Sequence, residues 1–270
     1  MAEPGQGTDA YTTRWRARDY LEQYYTTGVT ADDVAHARFA AVELRRLGRR
    51  YARALEVGCG PTVHHIAPFA PWLDRVTLAD FLPENLDEIA RWWRAEPSAF
   101  DWDRWIGGML AAEADALELA PRLAGKDAVH ALRRRQASMR DALAELAAVD
   151  LRAAAAEPNL PLGSFDLVLS YYCLECVGTT HAAWRQCLQR LTAWVAPGGV
   201  LFLGVMRRAR SYRVFDAAFD VAPIDEDDLR SELPRLGFPL ADLVLAIADV
   251  PEFAEQGFDQ VLCVRAVKAH

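Results

Sequence analysis

The chain has 270 residues, 52% of them hydrophobic, and a formal net charge of −8. It is long enough for one α/β domain with additions and apolar enough to bury a sizeable core. The acidic balance speaks against nucleic acid as the main partner, because binding a phosphate backbone needs clustered cations. Five cysteines, odd in number and singly scattered, suggest a reducing compartment rather than a disulfide scaffold. The opening MAEPGQGTDAYTTRW has no apolar signal core. No run approaches the ~20 apolar residues of a membrane span. The expectation is a cytoplasmic monomer that acts on a small molecule, with neither membrane nor nucleic acid as partner.

In chain order, residues 1–10 read as disordered, and residues 11–28 as an arm dense in Tyr and Arg. Thr30 then caps a helix to about Gly48, with Asp32 and Asp33 in its first turn, where the helix dipole favours acids. ARALEVG is a buried strand that stops at the turn Gly58-Cys59-Gly60, and the chain is expected to restart as a helix. RVTLADF is a second strand, and Pro83 starts a helix through about Ala95. Residues 97–147 read as a helical insertion. LAAVDL (146–151) fits either the tail of that helix or a short third strand, and propensity favours helix. SFDLVLSYY is a fourth strand, His181–Trp194 a helix closed by APGG, and VLFLGVM a fifth strand. PIDEDDLRSELPRLG is an acid-started helix. ADLVLAIADV and DQVLCVRAVK are strands close enough to pair antiparallel. Residues 1–50 would form an arm with cap helices and 51–270 the core.

Continuous apolar strands alternating with helices imply a parallel sheet covered on both faces, doubly wound by right-handed crossovers. Its ligand sits outside the carboxyl ends of the first strands. A dinucleotide turn needs a third glycine for close helix packing, and Val63 stands there. Pro61 removes an N–H from any phosphate cradle, and no P-loop follows. The turn therefore suits a nucleoside that packs by its chain and sugar. Asp80 ends the second strand, where an acid accepts from ribose hydroxyls. Asp150 ends the possible third strand, where an acid accepts from an adenine amino group. Their bland alternatives are a cap and a solvated acid.

This layout is that of S-adenosylmethionine-dependent methyltransferases. More narrowly, RDYLEQYY, EVGCGPT, LADFLPENL, EPSAFDW, YYCLECV and APGGVLFLG, in this order, resemble the nicotinamide/phenylethanolamine/thioether methyltransferase family. The resemblance implies a mostly parallel seven-stranded Rossmann-like sheet with an antiparallel last strand, and S-adenosylmethionine as cofactor. It implies that Tyr11, Tyr20 and Tyr25 close over the donor, and that Tyr20 also faces the acceptor. Gly58 and Gly60 would approach the methionine part, with Tyr171 lining it. Asp80 would hold the ribose with Asn85 nearby, and Asp150 and Leu151 would frame the adenine. His64 stands where relatives often carry a tyrosine and would join the donor-binding residues. An amphipathic aromatic helix packed on the core is the alternative for the arm, since the adjacent Tyr24 and Tyr25 are not expected to face inward together.

For the acceptor, Glu175 after the fourth strand and Asp259 at the start of the last match acids that phenylethanolamine-type members use toward the amine. Their further acid after the fifth strand is missing, and Val205 replaces the nicotinamide-type aspartate. Arg207, Arg208 and Arg210 stand in that region, either to pair with a substrate anion or as solvated loop residues. The sequence thus predicts N-methylation of a small amine, with a zwitterionic, amino-acid-like substrate as the sharper form. The alternatives are transfer to oxygen or sulfur, and more remotely an NAD-dependent oxidoreductase or a non-catalytic adenosine binder. The six histidines show no ligand spacing, and no metal is expected.

Overall fold

The computed structural model describes residues 11–119, 125–153 and 160–270; the expected disorder of residues 1–10 lies outside them. Helix α1 (Ala17–Tyr25) carries the tyrosine arm, and α2 (Ala31–Leu47) ends on Gly48 in the left-handed region. Strands β1 (Ala54–Val57) and β2 (Val76–Asp80) follow, then α3 (Pro83–Trp93), α4 (Asp103–Ala116), α5 (Gly125–Ala142) and β3 (Leu143–Ala148). Next come β4 (Phe165–Tyr171), the short α6 (Leu174–Val177), α7 (His181–Ala193) and the long β5 (Val195–Met206). The chain closes with the hairpin β6 (Ser211–Val214) and β7 (Ala217–Asp220), α8 (Glu226–Glu232), β8 (Leu243–Asp249) and β9 (Gln260–Val267).

Seven strands form one sheet in the order β3-β2-β1-β4-β5-β9-β8. The first five pair in parallel, and β9 runs antiparallel to both neighbours. The expected sheet with a reversed last strand is therefore present. Both faces are covered. Leu167, Leu169 and Phe202 pack toward Leu44, Ile89 and Trp105, while Val168, Leu201 and Leu203 pack toward Trp184, Leu188 and Leu229. Alternate residues of β4 serve opposite layers, which is why the strand reads as a continuous apolar run. Each fully buried Leu or Phe contributes ~1.5–3 kcal/mol.

Two local expectations are corrected. Residues 143–148 are a strand, not a helix tail: alanine and leucine favour helix locally, but pairing of Leu146, Ala147 and Ala148 with β2 prevails. The chain after Gly60 does not restart as an α-helix. It makes two 3₁₀ turns, His64–Ile66 and Ala70–Trp72. Pro61, Pro68 and Pro71 interrupt the amide donors a longer helix would need. The hairpin β6–β7 had no counterpart in the sequence reading.

Candidate active site

Gly58 and Gly60 both have positive φ, +73° and +60°, which only glycine adopts cheaply. A Cβ on Gly58 would sit 2.1 Å from Cys173 Sγ, whereas one on Gly60 would meet nothing within 4 Å. Gly58 is thus needed for packing, and Gly60 leaves open space above the turn. That space belongs to a cavity of about 1330 Å³, counting what is open to solvent at its mouth, outside the carboxyl ends of β1, β2 and β4.

On one side, Asp80 is 7% exposed and accepts from Gly60 N at 2.8 Å, Leu82 N at 2.9 Å and Asn85 Nδ2 at 2.9 Å. Burial raises its pKa while these bonds oppose the shift. Three of its roughly four acceptor positions are already in use, so a ribose would find one free or displace a bond. Val149 and Leu151 form an apolar wall beside it. Asp150 is held by Arg152 at 2.8 and 3.0 Å, and Arg152 lies over Phe81.

The arm closes the top. Tyr11, Tyr20, Tyr24 and Tyr25 all line the cavity. The adjacent Tyr24 and Tyr25 therefore both reach it, against expectation, because they stand at the C-terminal end of α1 and bind different elements. Tyr24 OH donates to Arg213 O at 2.6 Å and also lies against the Gln256 side-chain amide, while Tyr25 packs on His64, Trp102 and Trp105. Tyr11 OH meets Tyr212 OH at 2.8 Å, and Trp15 Nε1 donates to Asn85 Oδ1 at 2.9 Å.

Opposite the glycine turn, Asp32, Asp33, His65, Tyr171, Tyr172, Phe253 and Phe258 line the remaining wall. Asp32 and Asp33 are not solvated dipole partners but are 8% and 4% exposed. Burial and the neighbouring Asp33 raise the Asp32 pKa to about 7. The sequence reading missed both as site residues, because acids in a first helical turn are ordinarily explained by the dipole.

Several expected site residues stand elsewhere. His64 does not line the cavity: it stacks on Trp102 and bonds Asp33 at 3.0 Å, and its neighbour His65 lines the wall instead, stacked on Tyr171. Glu175 is fully buried, does not line the cavity and accepts from Met206 N at 2.9 Å, while its Oε2 has no partner. Asp259 is exposed at the start of β9 and is absent from the wall. Arg207 forms a fork with Glu226 at 2.8 Å on both bonds, Arg208 pairs with Asp225, and Arg210 is exposed. None of the three lines the cavity, since acids at the start of α8 draw the first two away.

A model of the NNMT/PNMT/TEMT family matches residues 4–268. The chain belongs to the NNMT/PNMT/TEMT family. It is therefore an S-adenosylmethionine-dependent methyltransferase. It is 29% identical over 214 residues to human phenylethanolamine N-methyltransferase, covering 77% of this chain and 69% of the relative. It is 22% identical to human nicotinamide N-methyltransferase, covering 86% and 85%. Among solved structures, magnesium protoporphyrin IX methyltransferase from Synechocystis with bound S-adenosylmethionine shares the fold at a TM-score of 0.53, with 13% identity over 100% of both chains. The residues present fit the donor: a glycine turn open to the cavity, a buried acid ending β2 and an apolar slot at Leu151. No helix among the described residues is long and apolar enough to cross a membrane.

Proposed function

We propose that this methyltransferase transfers a methyl group to the nitrogen of a small cationic amine. The observation that carries the reading is Asp32. It is an almost fully buried carboxylate on the cavity wall whose Oδ1 has no hydrogen-bond partner, and it stands among Tyr24, Tyr172, Phe253 and Phe258. A buried carboxylate oxygen without a donor is costly, and an ammonium group meets both that oxygen and the aromatic faces around it.

S-adenosylmethionine, when bound, supplies a methyl group already activated on a sulfonium. The protein's task is to place and enclose. By this reading Asp80 and Asn85 hold the ribose, Asp150 and Leu151 frame the adenine, and Gly58, Gly60 and Tyr171 line the methionine part. Tyr11, Tyr20 and Tyr25 cover the donor, Tyr20 facing the acceptor as well. Asp32 holds the ammonium and takes the proton it must lose, which frees the nitrogen lone pair to form the new N–CH₃ bond as the donor's S–CH₃ bond breaks. Orientation of this kind is worth ~7–11 kcal/mol of barrier.

Glu175 and Asp259 have no part in this arrangement, and the arginines supply no cation for a zwitterion's acidic end. Asp32→Asn should raise KM for an amine acceptor at least about tenfold, the worth of one charged hydrogen bond, with donor affinity unchanged. Equal KM values in wild type and variant would remove Asp32 from acceptor binding.

A further inference from the structure

Asp33 in the first turn of α2 meets two adjacent histidines of the first 3₁₀ turn. Its Oδ1 lies 3.0 Å from His64 Nε2 and 3.8 Å from His65 Nε2, and the three ligand atoms all lie within 4.8 Å of one another. Ligand atoms around a zinc ion bonded at ~2.0–2.2 Å are separated by roughly 3–3.5 Å, and the two distances from Asp33 Oδ1 are near that range. The outer contacts are those of a metal centre. His65 Nδ1 lies 3.0 Å from Glu56 Oε1, which turns its Nε2 toward Asp33, and that Nε2 has no hydrogen-bond partner. Thr30 Oγ1 donates to Asp33 Oδ2 at 3.1 Å and fixes the carboxylate. A carboxylate behind a histidine is the usual support of a ligating imidazole.

Charge points the same way. Asp32, Asp33 and Glu56 are three buried carboxylates, 8%, 4% and 1% exposed. Among the described residues no lysine or arginine is ion-paired with any of them. Buried charges of one sign call for a cation.

We propose that Asp33, His64 and His65 bind a divalent first-row transition metal of the zinc class. Two imidazoles and one carboxylate suit such an ion. Asp33 and His65 lie on the cavity wall and His64 does not, so the ion would be reached from the cavity. The ion ties the start of α2, which carries Asp32, to the turn after β1. Asp32, Asp33 and Glu56 against one divalent ion leave the buried cluster net negative, so the site remains compatible with a cationic acceptor but does not depend on one.

The test uses the full chain, stripped with a chelator and titrated with Zn²⁺ by calorimetry and with Co²⁺ by visible absorption. One equivalent should bind, with a cobalt spectrum lacking thiolate charge-transfer bands, and Zn²⁺ should raise the thermal midpoint. Glu56→Gln should weaken Zn²⁺ affinity roughly 10–100-fold. His65→Gln should weaken it at least as much, and Cys173→Ser should leave it unchanged. Folded wild type that binds neither ion would overturn the proposal and leave a hydrogen-bonded His–Asp pair. So would binding that survives His65→Gln, or a cobalt–thiolate spectrum lost in Cys173→Ser.

Discussion

Glu175→Gln offers a quantitative check on where this acid sits. Burial raises the Glu175 pKa from 4.5 to about 7, opposed only by backbone hydrogen bonds including that from Met206. A folded-state pKa above the unfolded one means that the native state holds the proton more tightly. Its cost is therefore absent below about pH 4.5, grows as the pH rises through the folded pKa, and is complete above about pH 7. That displacement corresponds to roughly 3 kcal/mol at full development, of which about 2–3 falls between about pH 5 and about pH 8. Glutamine keeps an oxygen for Met206 N and cannot ionise. Urea unfolding of both proteins over this range should show the variant gaining on wild type by that amount as the pH rises. Parallel pH curves would mean that the Glu175 carboxylate is solvated, and the buried placement would be refuted.

Gly60→Ala should lower S-adenosylhomocysteine affinity at least about tenfold in calorimetry, because its methyl enters empty cavity space. The left-handed backbone should cost the fold only ~1–2 kcal/mol, and unchanged affinity would show that the donor does not approach this turn. Arg207→Ala and Arg208→Ala should leave acceptor KM unchanged in steady-state assays, since both side chains are held by α8; a raised KM would restore the anion-binding role. The backbone amides of residues 11–28 should exchange hydrogen more slowly when S-adenosylhomocysteine is present, as expected of a lid. Equal protection with and without ligand would make the arm a fixed part of the core.

The cavity wall at the glycine turn and Asp80 was legible because its signals are local. A glycine turn directly after an apolar strand, and an acid at the end of the next strand, fix their own positions once the strands pair in parallel. The wall that holds Asp32, Asp33 and His65 was not, because it is assembled from distant pieces. Asp33 and His65 come from different elements, and only the fold brings them to one wall. Glu175 lies at the expected end of the sheet, but sequence gives its position and not its direction; the Met206 amide settles that. The arginines after β5 looked available until α8 brought Asp225 and Glu226 beside them. The strand at 143–148 was ambiguous because its composition favours helix, and only its pairing with β2 decides the matter.

The most direct measurement is product analysis with a trideuteromethyl-labelled donor and a panel of matched amines, alcohols and thiols that share one apolar skeleton. The account predicts labelled N-methyl product from amines, formed in step with S-adenosylhomocysteine, and little from the alcohol and thiol partners. Label carried only on oxygen or sulfur would contradict it.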